Sequence, residues 1–145
     1  MTLMTETNPY KEANTGSLKG IRRWQAFDDF WQKLETLNDG QWFIYDTTKN
    51  PPTETVSKAA FTDFLTMTNQ LLHEQHQEDY CGIVYVDNMD EPRFIKIYDP
   101  ANLGVVCGFS DNPPLPGWII SRLTPCDLHK PAPPSLWKKY LHKFK

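Results

Sequence analysis

Apolar residues recur at three- and four-residue steps in two long segments of the chain. The first segment, from Ser17 to about Leu37, predicts a helix with one apolar face. The second begins at Thr55 or Ser57, either of which can cap a helix, and runs to about Gln77. The stripes comprise Ile21, Trp24, Phe27, Phe30, Trp31, Leu34 and Leu37 in the first helix, and Val56, Ala60, Phe61, Phe64, Leu65, Thr68, Leu71 and Leu72 in the second. Each helix therefore has a face to bury.

Shorter runs of aromatic and β-branched residues predict strands between and after the helices. The segments separating them are rich in proline, which cannot donate to a strand ladder. The order is helix, strand, helix and then four strands. This order predicts one α+β domain with a four- or five-stranded, mainly antiparallel sheet and two amphipathic helices on one face. The predicted strands lie at residues 41–46, 80–87, 93–98, 105–109 and 118–123.

The two ends of the chain lack these patterns and predict a division of the sequence. Residues 1–16 are polar and aperiodic, which is typical of a mobile leader. The α+β domain is predicted over residues 17–124, followed by a Pro-rich linker over residues 125–134. Residues 135–145 predict a short basic amphipathic helix, whose apolar positions are Leu136, Trp137, Tyr140, Leu141 and Phe144.

The predicted strands are apolar on both faces. In the strand at residues 80–87, Val84 and Val86 alternate with Ile83 and Tyr85. Two helices cover only one face, so the other face needs a cover of its own. We consider three candidates: the C-terminal helix, a second copy of the chain, or a ligand. An uncovered apolar patch of this kind is typical of a binding site.

Charge is unevenly distributed over the 145 residues, whose net charge is −3. All 18 acidic residues lie within residues 1–129, and residues 130–145 hold five lysines and no acid. The acidic body argues against general nucleic-acid binding, because phosphate would be repelled. The basic tail suits a protein partner, the protein's own acidic body, or peripheral contact with an anionic membrane. No apolar run approaches the ~18 residues of a transmembrane span, and no signal peptide is recognisable, so we expect a cytoplasmic protein.

One four-residue string carries a candidate thiol chemistry. Cys107-Gly108-Phe109-Ser110 is similar to the CGFS active-site motif of monothiol glutaredoxins, in which a helix N-terminus lowers the pKa of the thiol. The similarity ends there, because the proline-rich sequence that follows Cys107 cannot form that helix. The pattern therefore favours a buried strand cysteine over a redox site, with Cys107 kept as an alternative.

A second alternative is a metal site. His73 and His76 lie three residues apart on the second predicted helix, and Cys126 and His129 form a CxxH pair. These are four ligands of the kinds that zinc takes, although no known motif links the two pairs. No phosphate-binding loop or nucleophile motif is present, and we expect no cofactor.

The leading hypothesis is therefore a non-enzymatic binding or accessory module that acts through its second sheet face and its basic tail. A protein partner or self-association is expected. A thiol- or metal-dependent enzyme and a small-molecule carrier or sensor remain as alternatives. In the carrier, the ligand would lie against Tyr85, Tyr98 and Trp118. The cations Arg93, Lys96 and Arg122 of the last strands are candidates to converge on an anion. The candidate binding residues are Tyr85, Arg93, Lys96, Tyr98, Cys107, Trp118, Arg122, Trp137, Lys138 and Lys139.

Overall fold

The structure, a computed structural model, describes residues 8–76, 81–99 and 116–128. It confirms an α+β fold in which three helices accompany one antiparallel sheet. No described helix has the length and apolar composition needed to cross a membrane. In chain order the elements are α1 (Pro9–Thr15), β1 (Lys19–Ile21), α2 (Trp24–Thr36), β2 (Phe43–Asp46), α3 (Lys58–Gln75), β3 (Val84–Val86), β4 (Phe94–Ile97) and β5 (Trp118–Ser121).

Within the described residues, the sheet has five strands in the order β1-β3-β4-β5-β2, and every neighbouring pair is antiparallel. The central strand, β4, pairs with β3 through Lys96 and Tyr85 and with β5 through Lys96 and Ile119. Because side chains alternate along a strand, Phe94 and Lys96 share one face of β4, and Ile95 and Ile97 share the other. All four are buried, so the sheet is covered on both faces in its centre.

The helices α2 and α3 cover the face that carries Ile95 and Ile97, as the two apolar stripes predict. Phe27, Leu34, Phe61 and Leu72 are fully buried in this layer. One polar contact joins the helices inside the core, where the Trp31 indole Nε1 donates to the Thr68 hydroxyl at 3.0 Å. A buried indole N–H needs an acceptor, and this bond supplies it. This bond helps to set the position of α2 along α3.

The short helix α1 covers the other face, which corrects the prediction of a mobile leader for residues 8–16. Asn8 caps α1 by accepting from the Tyr10 and Lys11 backbone N–H groups. Tyr10 is 1% exposed and packs edge-on against Phe94, with ring centroids 5.1 Å apart. Residues beyond the predicted domain boundary at 124 also contribute, because Cys126 and Leu128 pack against the same cluster. Around Phe94 the second face is therefore covered by the chain itself, and neither a second copy nor a ligand is needed there.

The start of the first predicted helix also differs from the structure. The helix begins at Trp24 and not at Ser17, because Lys19–Ile21 pair with β3 as an edge strand. Ile21 keeps its predicted burial but reaches the core from β1. A three-residue strand is too short to show a period of its own. The predicted strand at residues 105–109, most of the linker and the C-terminal helix lie outside the described residues.

Candidate functional site

A groove of about 780 Å³ follows the β1 edge of the sheet. Five consecutive residues, 19–23, line the groove. They comprise β1 and the two residues that lead from it into α2. The remaining described lining residues are Ala26 of α2, Gly82 and Tyr85 on the β3 side, and Met89 in the following turn. We refer to this set as the β1 groove. Among the described residues, its lining combines a basic edge with an apolar wall.

The basic edge consists of Lys19, Arg22 and Arg23, all of which are exposed. Within the described part of the chain none of the three forms an ion pair. The sequence around them holds no acid from residue 13 to residue 27. Arg22 and Arg23 create a local positive potential that attracts anions, whereas Lys19 pairs with Val86, next to the acidic turn at residues 87–91.

The start of α2 adds to this potential. Arg23 is its N-cap and provides no side-chain hydrogen bond to the first turn, which contains no acid. The unpaired N–H groups of a helix N-terminus carry partial positive charge. Because Arg23 and Ala26 both line the β1 groove, this helix end adds to the positive potential there.

The apolar wall is organised around Tyr85 and two glycines. The Tyr85 ring lies over Gly20, so close that a Cβ on Gly20 would come within 3.0 Å of the ring. Gly82 has a φ of 68°, a left-handed conformation that a residue with a side chain adopts only under strain. Because Gly20 has no side chain, the Tyr85 ring lies directly against it and forms a flat part of the groove lining. The wall can therefore accept an apolar or planar group.

Of the predicted binding residues, Tyr85 and Tyr98 are brought together. Their rings meet edge to face, with centroids 5.6 Å apart. Burial and the neighbouring Tyr85 raise the pKa of the Tyr98 phenol. Trp118 instead packs edge-on against Phe64 of α3, with centroids 6.0 Å apart. The three aromatic residues thus form part of the packed sheet, and only Tyr85 lines the β1 groove.

The predicted cations do not converge on one anion, because each has a separate protein partner. Arg93 lies 3.8 Å from Asp87, and Arg122 lies 3.0 Å from Asp39. The Arg122 guanidinium also lies over the Trp42 ring, 4.3 Å from its centroid. This stacked, hydrogen-bonded position supports the packing of the loop after α2.

Lys96 is buried on the α1 face, and its Nζ donates to the Asn14 carbonyl at 2.7 Å. Burial lowers the pKa of Lys96 from 10.5 to about 8. The carbonyl belongs to the last turn of α1, where a cation is favourable. Lys96 therefore ties α1 to the sheet.

Of the four predicted metal ligands, the structure describes three, and it places the two helix histidines and Cys126 on opposite faces of the sheet. His73 lies on α3, where its Nε2 is 2.8 Å from the Asp28 carboxylate of α2. Cys126 packs with Tyr10 and Tyr45 on the opposite face of the sheet. His129 lies outside the described residues. The described residues hold no group of three or more side chains suited to bind a metal ion.

Of the three cysteines, the structure describes Cys81 and Cys126. Cys107 is outside the described residues, as are Trp137, Lys138 and Lys139 of the basic tail. Cys81 is fully buried, and burial raises the pKa of its thiol. Burial likewise raises the pKa of the Cys126 thiol. A raised pKa lowers the thiolate fraction, so neither described cysteine has the properties of a reactive nucleophile.

The basic edge of the β1 groove was not predictable from local periodicity. Lys19, Arg22 and Arg23 fell within a predicted helix, where cations between apolar positions indicate the solvent-facing side. The available signal was the run of three cations in a stretch without acids. Comparison with protein-family models, with curated proteins and with solved structures finds no match to this chain. The function must therefore be inferred from the groove itself.

Proposed function

We propose that this protein is a non-enzymatic binding module whose ligand site is the β1 groove. The ligand carries negative charge beside an apolar or planar group. The observation that carries this proposal is that three exposed cations, none of which forms an ion pair among the described residues, meet the Tyr85 wall in one groove of about 780 Å³. A concave site that is partly apolar and has a few convergent polar groups is typical of ligand binding.

The chemistry of the lining supports binding over catalysis. Cations attract and orient an anion, and Tyr85 and Met89 provide apolar contact. Apart from the Tyr85 phenol, the described lining residues contain no carboxylate, imidazole, thiol or hydroxyl. General acid–base and nucleophilic catalysis need a titratable or nucleophilic group within reach of the substrate, and the described lining offers only the Tyr85 phenol and the Lys19 amine for that role.

The sequence predicts a binding surface on the second sheet face, whereas the proposed surface is the β1 groove at the edge of the sheet. The centre of that face is packed beneath α1, whereas Tyr85, at its margin, lines the β1 groove. We retain from the sequence a protein partner, a cytoplasmic location and a contribution of the basic tail. The tail carries Trp137, Lys138 and Lys139.

A fluorescent anion with an aromatic body tests the proposal. 8-Anilinonaphthalene-1-sulfonate combines a sulfonate with fused rings and would be titrated into the full-length protein at low salt. We expect saturable binding that the double variant Arg22→Glu/Arg23→Glu weakens about 10-fold or more, since each reversal replaces attraction by repulsion. Binding should also weaken as salt screens the charges.

The matched control is Lys11→Glu/Lys58→Glu, which makes the same change in net charge at two exposed lysines that do not line the groove. Its affinity for the probe should stay within about two-fold of wild type. Equal weakening in both double variants would mean that the effect is one of net charge alone. That result, or no saturable binding to the wild type, would overturn the proposal.

A further inference from the structure

The β1 strand lies at one end of the sheet order, and its position suits strand addition. Among the described residues, the strand pairs only with β3. The opposite edge differs, because the Val56 N–H donates to the Trp42 carbonyl at 2.9 Å directly before β2. An edge strand presents backbone N–H and C=O groups that can pair with another extended chain.

The shape of the groove follows this edge. Its lining runs along consecutive residues from Lys19 to Arg23, a length of roughly 15 Å for extended chain. The strand itself spans Lys19–Ile21, and the Arg22 and Arg23 carbonyls accept from the Cys81 and Phe27 N–H groups, so an added segment would pair with about three residues. The Tyr85 ring and Met89 then provide apolar contact for alternate side chains of the added segment.

Charge identifies the kind of segment. Pairing of Lys19 with Val86 places Lys19 near the turn at residues 87–91, which contains three acids. Arg22 and Arg23 lie at the other end, where the Arg22 carbonyl accepts from the Cys81 N–H. Cations on a short edge strand discourage pairing with apolar or basic strands and favour acidic ones. The strongest attraction for an acidic segment is therefore at the arginine end.

We propose that the occupant of the β1 groove is an extended acidic segment of a partner protein, which adds to the sheet as a sixth strand beside β1. This inference rests on the proposed function and deepens it by naming the ligand class. Backbone hydrogen bonds to β1 provide the pairing, and acidic side chains near Arg22 and Arg23 provide the selectivity.

Fluorescence anisotropy with a labelled peptide of alternating glutamate and valine tests the inference. The control peptide has the same sequence with methyl groups on alternate backbone nitrogens, which removes donors and keeps the charge. The full-length protein should bind the first peptide and bind the methylated one at least 10-fold more weakly. Arg22→Glu/Arg23→Glu should weaken the first peptide to a similar degree, and Lys11→Glu/Lys58→Glu should not.

Hydrogen exchange provides a second readout. Addition of a strand should slow exchange in the peptide fragment that spans residues 19–21, whereas a bound small anion would leave backbone pairing unchanged. Equal binding of both peptides, or no slowing of exchange, would overturn strand addition.

The sulfonate probe separates this failure from failure of the proposed function. Probe binding that depends on Arg22 and Arg23, without selective peptide binding, would leave the binding module standing and exclude the extended segment. Competition of inorganic phosphate with the probe would then point to a small anionic ligand. Loss of both kinds of binding would overturn both proposals.

Discussion

Replacing Lys96 by methionine is expected to stabilise the protein at neutral pH. Lys96 is 9% exposed in the central strand, and its hydrogen-bond partner is the neutral Asn14 carbonyl. No carboxylate forms an ion pair with Lys96 among the described residues. Methionine has a similar length and no charge, so Lys96→Met keeps the packing beneath α1 and removes the cost of burying an ammonium group.

The magnitude follows from the pKa of Lys96, which burial lowers from 10.5 to about 8. The unfolded chain therefore binds more protons than the folded chain between these pH values, and the free energy of unfolding rises with pH. Below pH 8 the full penalty applies. That pKa difference corresponds to at most about 3 kcal/mol, and solvent screening reduces it to roughly 2 kcal/mol.

Loss of the hydrogen bond to the Asn14 carbonyl offsets about 1 kcal/mol of this gain. The variant Lys96→Met should therefore be more stable than wild type by roughly 1 kcal/mol at pH 7. The penalty in the wild type declines as Lys96 loses its proton. More than half of it should disappear between pH 7 and pH 9.5, so the advantage of the variant should shrink over that range.

Urea unfolding followed by tryptophan fluorescence measures this difference at several pH values from 7 to 9.5. The matched control is Lys33→Met, because Lys33 Nζ also donates to a backbone carbonyl, that of Met89 at 2.9 Å, from a more exposed position. Lys33→Met removes a comparable hydrogen bond without relieving a buried charge, so it should not be more stable than wild type at pH 7. A Lys96→Met protein that is less stable than wild type at pH 7, or whose difference does not depend on pH, would refute this reasoning.

Three further changes test the packing and the electrostatics. Tyr10→Ala should cost about 3 kcal/mol in urea unfolding, because a buried aromatic ring anchors α1 to the sheet. Thr68→Val should cost about 1–3 kcal/mol in the same assay, because it leaves the buried Trp31 N–H without its acceptor. Partial burial raises the pKa of Asp28, but hydrogen bonds from His73 and Asn69 outweigh it and lower the pKa overall. The stability that this carboxylate contributes is present above its unfolded pKa and lost in acid. In Asp28→Asn, the free energy of unfolding should therefore fall less steeply than in wild type as the pH drops below about 4.

Each of these changes has a control at a neighbouring exposed position. Lys11→Ala should change stability by less than about 0.5 kcal/mol, since Lys11 is exposed beside Tyr10. Thr62→Val removes a hydrogen bond to Glu35 at the helix surface and should cost less than Thr68→Val. Asp29→Asn changes an exposed carboxylate that accepts from Gln25 of the same helix, and its stability at pH 7 should stay within about 0.5 kcal/mol of wild type. A control variant that lowers the free energy of unfolding as much as the variant it is matched with would contradict the role assigned to the buried or paired group.

The two long helices were predictable because their apolar residues repeat with the helical period. The stripe from Trp24 to Leu34 and the Ser57 cap of α3 both occur where the pattern indicates them. Burial of one face needs only local spacing, and local spacing is written in the sequence. The strands at β2, β4 and β5 were predictable for a similar reason, since aromatic and β-branched residues favour extended chain.

The helix α1 and the strand β1 were not predictable in this way. A seven-residue helix that buries mainly Tyr10 has no apolar stripe, and its stability depends on contact with Phe94 in a distant strand. Lys19–Ile21 are extended because β3 pairs with them, although they adjoin a strong helical pattern. In both segments tertiary contact outweighs local preference.

The binding surface depended on the same long-range pairing. From the sequence, Lys19, Arg22 and Arg23 belong to a helix, and Arg93, Lys96 and Arg122 are candidates for a shared anion. In the structure, the second set has partners within the protein, while the first set lines the β1 groove. Strand order and register determine which cations meet, and neither can be obtained from periodicity.

By itself, the sequence determined the two amphipathic helices through the spacing of their apolar residues, and the α+β class and the antiparallel character of the sheet through the order of the predicted elements. Only the tertiary structure decided which strand lies at the edge, how α1 covers the second sheet face and which cations line the β1 groove. These features depend on contacts between residues far apart in the chain. Such contacts are selected by the packing of the whole domain, which no local pattern specifies.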